Sequence, residues 1–130
     1  MASTDRDALV VLLHSTGGAG WKRNDNWGTD ADLSLWHGVA VDDQGCVVKL
    51  SLEENNLKGP IPKELGALAA LEHLSLSGNE LTGPTTEVLG ALTNLQTLNL
   101  SWTKLSGPIP EVLGALTNLQ DLDLLWNKLS

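Results

Sequence analysis

The chain has 130 residues, 27 of them Leu and 13 Gly, with five Trp, a single Cys and neither Phe nor Tyr. That length gives one domain with a core of its own, and 16 acidic against 8 basic residues, −8 at pH 7, argues against a nucleic-acid or anionic-membrane partner. One Cys excludes an internal disulfide and with it a disulfide-stapled fold, and no apolar run approaches the roughly 20 residues of a membrane helix.

The N-terminal segment MASTDRD lacks the basic start and long apolar stretch of a signal peptide. It reads instead as a helix entry, with Ser3 or Thr4 as N-cap and Asp5 and Asp7 in the first turn, where the dipole favours negative charge. Leu9, Leu12 and Leu13 share a face, and Gly17-Gly18 ends the helix. Trp21, Trp27 and Trp36 lie in a Gly-, Asn- and Asp-rich segment with few other large apolar residues, so they are expected to fill a small core. Val39 and Val41, then Val47 and Val48, are strand signals around a turn at Asp42 to Gly45, a hairpin expected to cover the exposed edge of the segment C-terminal to it.

From residue 49 onward the chain repeats every 24 residues. Asn55, Asn79, Thr103 and Asn127 are in step, as are Leu50, Leu74, Leu98 and Leu122, and Gly59-Pro60, Gly83-Pro84 and Gly107-Pro108. Residues 84–106 and 108–130 match at 17 of 23 positions, as after a recent duplication. The unit is LxxLxLxxNxLxGxIPxxLGxL. Leu-x-Leu alternation is a short strand with its leucines inward, the Asn hydrogen-bonds backbone where the chain leaves the strand, and Pro after Gly keeps the next segment extended. One coil cannot bury its own leucines, so stability comes from stacking.

These motifs resemble the leucine-rich-repeat proteins of plants and algae, in which Gly-x-Ile-Pro marks the subclass. The N-terminal part resembles that family's capping domain at Asp7-Ala8-Leu9, Trp21, Asn26-Trp27 and Trp36-His37-Gly38-Val39. The resemblance implies an α/β solenoid with a parallel β-sheet on its concave face and a helix-plus-hairpin cap: residues 1–48 as cap, then 49–130 as three full repeats and part of a fourth. Extracellular members of the family usually carry a Cys pair around the Trp-x-Gly-Val segment; Ser34 and Val41 stand there in this chain, and Cys46 lies outside the pattern as a partly buried, unreactive thiol. The expectation is a cytoplasmic protein, or an extracellular or membrane-attached one if this is a processed fragment. Thr103 for the ladder Asn and Thr85-Thr86 for Ile-Pro are local weaknesses.

Stacked strands turn four columns outward: Lys49, His73, Thr97 and Asp121; Ser51, Ser75, Asn99 and Asp123; Glu53, Ser77, Ser101 and Leu125; and Glu54, Gly78, Trp102 and Trp126. The candidate partner-binding residues are Lys49, Ser51, Glu53, His73, Ser75, Ser77, Thr97, Asn99, Trp102, Asp121, Asp123 and Trp126. The repeat does not need Trp102 or Trp126, and a period of 24 sets them side by side on one rim, as the centre of a contact or as a packed cover of the strand layer. Asp121 and Asp123 beside them select a basic partner. The histidines His14, His37 and His73 have no metal-ligand spacing, and Gly17-Gly18-Ala19-Gly20 lacks the flanks of a phosphate loop, so no cofactor, metal or catalytic residue is expected. Asn99-Leu100-Ser101 is a formal glycosylation acceptor on the strand face, read as a chance match. The function expected is a non-catalytic protein- or peptide-binding module, or the recognition fragment of a larger receptor or signalling protein whose kinase or GTPase part is absent. The sequence stops at Ser130, inside a coil, so Leu122, Leu124 and Leu129 are expected to be partly exposed, with self-association through that end or a soft last repeat.

Overall fold

The structure is a computed structural model and describes residues 2–83, 87–107, 114, 116–123 and 128–129. Helix α1 runs over Ala2–Ser15. It begins earlier than expected: Ser3 and Thr4 lie inside its first turn instead of capping it. The stop is as the glycines imply, since Gly17 takes a left-handed φ of 69° and leads into a short 3-10 turn at Gly18–Gly20. Leu9 and Leu12 are fully buried and Leu13 packs partly against the same core.

The three N-terminal tryptophans form that core, as their surroundings in the sequence imply. Trp21 and Trp27 meet edge to face at 4.8 Å, and Trp27 and Trp36 are 5.1 Å apart. Each indole N–H reaches a carbonyl: Trp21 to Thr16, Trp27 to His37 and Trp36 to Ala31. Burial therefore leaves none of these three donors unpaired. Arg6 lies over the Trp36 ring at 5.3 Å and donates to the carbonyls of Thr29 and Ala31, tying α1 to this segment.

Strands β1 (Val39–Val41) and β2 (Val47–Ser51) form the antiparallel hairpin. Asp42 Oδ1 accepts from the amides of Gln44 and Cys46, both at 2.9 Å, which holds the turn. Strand β2 is also the first strand of the repeat sheet, so β1 alone covers that sheet's edge. Beyond it come β3 (Lys58–Gly59), β4 (His73–Ser75), β5 (Glu80–Leu81), β6 (Thr97–Asn99), β7 (Ser106–Gly107), β8 (Asp121–Asp123) and β9 (Lys128–Leu129). The main sheet has the order β1-β2-β4-β6-β8, parallel from β2 onward. Two small parallel pairs, β3 with β5 and β7 with β9, lie where each coil leaves its first turn.

Between the two layers run the leucines: Leu50, Leu52, Leu57, Leu65, Leu68 and Leu71 of one coil and their copies in the next are buried. The 3-10 turns at Lys63–Ala67 and Glu87–Ala91 close the coils on the far side, and α1 packs against the first of them. The asparagine ladder has the predicted form. Asn79 Oδ1 accepts from the amides of Asn55 and Leu57, and its Nδ2 donates to Leu52 and Leu76. Asn55 does the same one rung earlier, gripping Arg23 of the N-terminal segment through both its N–H and its carbonyl. Thr103 is shorter and donates to Leu100 O, within its own coil. Thr85, Thr86 and Asn127 lie outside the described residues.

Candidate functional site

The concave face is built by register. Lys49 stands beside His73, His73 beside Thr97 and Thr97 beside Asp121; Ser51, Ser75, Asn99 and Asp123 are paired in the same way. Two of the four expected columns therefore exist as strand neighbours on one surface, because the inward leucines at alternate positions fix which residues face out. The ladder continues past the strands: the amides of Leu52 and Glu54 donate to the carbonyls of Ser75 and Ser77, and Gly78 N–H to Ser101 O.

Side chains along the face are tied across strands. His73 Nδ1 lies 2.9 Å from Thr97 Oγ1. Glu53 Oε1 accepts from Ser75 Oγ at 2.8 Å and from Ser51 Oγ at 3.5 Å. Ser101 departs from expectation: it is buried, because its amide and hydroxyl both donate to Asn99 Oδ1, which folds over it. Lys49, Glu53 and Asp121 are exposed, and Ser77 and Asp123 half-buried. Leu122, the inward residue of β8, is 47% exposed, against 1% for Leu98 one coil earlier. Leu124 and Leu125 lie outside the described residues, as do the side chain of Leu129 and Trp126, and with Trp126 the expected tryptophan pair.

Trp102 is 59% exposed, the most open tryptophan among the described residues. Its backbone is left-handed, φ 56°, and so are the two residues that precede it at the same repeat position, Glu54 at 48° and Gly78 at 70°. Glycine takes that conformation freely and a bulky side chain does so at a cost. The fold thus provides a position suited to Gly and fills it in one coil with Glu and in another with Trp.

The result is a groove of about 380 Å³ bounded by Glu53, Glu54, Ser77, Gly78 and Trp102. The 24-residue spacing puts Glu54 and Gly78 in one column with Trp102 but does not reveal them as groove walls. The left-handed turn that lays Glu54 across the bare Gly78 leaves no mark in that spacing. A second, more polar hollow of about 400 Å³ lies at the opposite ends of the strands, between Glu72, Gln96 and Gln120 and the turn residues Asn94 and Asn118. Those two asparagines donate to the carbonyls of Ala69 and Thr93 and serve the coil turns. Cys46 is more buried than its sequence context implies, 2% exposed, and burial raises its thiol pKa, with Asp42 and Asp5 adding to the effect. Among the described residues no group of three or more His, Cys, Asp or Glu side chains is arranged to hold a metal ion, and no helix is long and apolar enough to cross a membrane.

The family model for the leucine-rich repeat matches residues 46–68, 70–92 and 94–116. No curated protein matches the chain by sequence. Among solved structures, a chain of the BIR3–SERK2 complex of Arabidopsis thaliana is 30% identical with a TM-score of 0.83, the match covering 95% of this chain and 70% of that one. A chain of the PEPR1–AtPEP1 structure is also 30% identical, with a TM-score of 0.85 over 98% of this chain but only 18% of its own length. The leucine-rich-repeat ectodomain of the receptor kinase SOBIR1 from Arabidopsis thaliana is 28% identical with a TM-score of 0.79, over 98% of this chain and 68% of that one. This chain therefore spans about two thirds of two of these structures and less than a fifth of the third. The repeat and the strand register agree with the match: the chain belongs to the leucine-rich-repeat family, in its plant type.

Proposed function

We propose that the protein is a non-catalytic binding module that takes a protein or peptide on its concave face, with residues 1–48 as cap and 49–130 as the binding solenoid. The observation that carries this reading is Trp102, a large aromatic side chain 59% exposed at the rim of a register-locked polar surface, in a backbone conformation that favours glycine. Open tryptophans at the centre of a contact are typical hot spots, and truncating one commonly weakens binding by 2 kcal/mol or more, or about thirtyfold. The contact residues in this reading are Lys49, Ser51, Glu53, His73, Ser75, Ser77, Thr97, Asn99, Trp102, Asp121, Asp123 and Trp126.

Trp102→Gly gives a clean test, because Gly78 already occupies the equivalent position one coil earlier with the same handedness. The variant relieves a left-handed backbone cost of about 1 kcal/mol, so it folds at no loss beyond the packing of the indole itself. Peptides selected from a random library on the wild-type chain are expected to bind Trp102→Gly at least tenfold more weakly, with thermal stability retained. Undiminished affinity rules the reading out.

A second reading is supported by the solved relatives, one of which is the ectodomain of a receptor kinase: the chain is the recognition part of a larger receptor or signalling protein. It shares the binding face with the first reading and differs in what is attached to it. For location, Ser34 and Val41, standing where the extracellular relatives' cap carries its Cys pair, support a reducing interior, while the receptor ectodomains support the outside. Mass analysis of the protein from its own cell decides: a glycan on Asn99 would place it on the secretory route.

A further inference from the structure

We propose that the groove between Glu53, Glu54 and Trp102 is a subsite for an arginine side chain of the bound peptide, an inference that rests on the concave face being the binding surface.

Three successive coils meet there: the first supplies two walls, Glu53 and Glu54, the second the floor at Gly78, and the third the wall at Trp102. Glu53 comes after β2, and its Oε1 is steadied by Ser75 Oγ at 2.8 Å. Glu54 is next in the chain and lies across Gly78; a Cβ on Gly78 would sit 2.6 Å from Glu54 Cγ and 3.4 Å from its amide nitrogen, so a side chain there would push Glu54 aside. Trp102, one coil on from Gly78, is the third wall. The Gly78 amide is itself fixed, donating to Ser101 O at 3.1 Å. Stacking thus holds the backbone beneath the groove in place, and binding has only the exposed side chains of Glu53, Glu54 and Trp102 left to order.

The charge of the groove selects its occupant. Among the described residues the ion pairs are Arg23–Asp25, Lys58–Glu80 and Lys104–Glu80, and neither Glu53 nor Glu54 has a cationic partner. Two exposed carboxylates beside an exposed indole favour a cation, through hydrogen-bonded pairing on one side and the ring quadrupole on the other. Arginine fits both better than lysine. Its planar guanidinium stacks on the ring while its fork of N–H donors spans two carboxylate oxygens, whereas an ammonium is a compact, strongly hydrated point charge. The groove, about 380 Å³ and open along the rim of the face, has room for one side chain of a peptide running across the sheet ends.

The test uses the library-selected peptides and the intact chain. Peptides that bind the concave face are expected to be enriched in Arg, and replacing that Arg by the neutral isostere citrulline is expected to weaken binding at least tenfold. In Glu54→Gln, a substitution that keeps size and leaves the buried core untouched, the same replacement is expected to cost less than threefold, because the charge it removes has lost one of its two carboxylate partners. Replacement by Lys falls between the two. Selected peptides that lose affinity with Trp102→Gly but contain no Arg, or that bind equally as citrulline forms, overturn the arginine subsite and leave the binding face standing. Equal citrulline losses on wild type and Glu54→Gln overturn it as well. A selection with no peptide sensitive to Trp102 overturns both.

Discussion

Asp5 carries one of the less obvious electrostatic roles in the chain. It sits in the first turn of α1, where the helix dipole favours a carboxylate, yet it is only 6% exposed, with Oδ2 accepting from the Val47 amide at 2.9 Å. Burial pushes its pKa above the ordinary carboxylate value, against the lowering effects of the Val47 amide and the N-terminal charge, with Asp42 adding to the rise. The folded state therefore holds the proton to higher pH than the unfolded chain does. Stability from this group falls as pH rises from the unfolded carboxylate's range through the folded one, and the penalty persists above it. Asp5→Asn keeps an acceptor for Val47 and removes the charge, so it should be at least as stable as wild type at pH 7 and lose this part of the pH dependence. Asp5→Ala leaves a buried amide without its acceptor and should cost about 1–3 kcal/mol. Urea titrations between pH 4 and 7 measure both; an Asn variant less stable than the Ala variant contradicts the account. The sequence places Asp5 in the first helical turn but gives no sign of Val47, because that contact joins residues 42 apart in the chain.

Single coils are organised by the asparagine ladder, the most legible element in the sequence. A carboxamide is the one neutral side chain that offers an acceptor and a paired donor at once, and the period tells where each copy must stand. Asn79 satisfies two amides and two carbonyls of neighbouring turns while buried itself. Asn79→Ala should therefore cost about 3 kcal/mol or more, since several buried backbone groups lose partners together. Thr103 is the converse case. Its hydroxyl reaches Leu100 O within its own coil, and Thr103→Asn should restore the two-sided bridge and raise stability by about 0.5–1.5 kcal/mol. Chemical denaturation of the two variants provides the check, and a destabilised Thr103→Asn would mean that the coil around it has adjusted to threonine. The columns of the concave face are legible for the same reason as the ladder. What escapes is the three-dimensional consequence of a left-handed residue: spacing alone gives Glu54, Gly78 and Trp102 one column, while their φ values of 48°, 70° and 56° turn that column into a groove. The helix starts at Ala2, ahead of both expected caps, because Ser3 and Thr4 have the chemistry of a cap without having its position.

Across the whole molecule, stability should be graded along the stack. A solenoid is held by contacts between neighbouring coils, so each leucine is worth what the coils on both sides bury of it. Leu50, Leu74 and Leu98 occupy equivalent places in β2, β4 and β6 and are 0%, 1% and 1% exposed, whereas Leu122 in β8 is 47% exposed. At the start of the stack the tryptophan core, the β1 strand and the Asn55 grip on Arg23 supply the missing neighbour. Leu98→Ala removes a fully packed side chain and leaves a cavity, a loss of about 2–5 kcal/mol. Leu122→Ala removes one already half in water, a loss of about 1 kcal/mol by area. The two substitutions are chemically identical and sit 24 residues apart in the same motif, so any difference between them reports the surroundings alone. Amide exchange should show the same order, with β4 and β6 protected longer than β8 and the β8 amides released before global unfolding. Equal losses for the two leucines, or equal protection of the three strands, would mean that the chain unfolds as one indivisible unit. In that case the concave face would be as rigid at Asp121 and Asp123 as it is at Lys49 and Ser51. If the gradient holds, the acidic end of the face is its adjustable part, and the groove at Glu54 and Trp102, set in the better-packed coils, is its fixed reference.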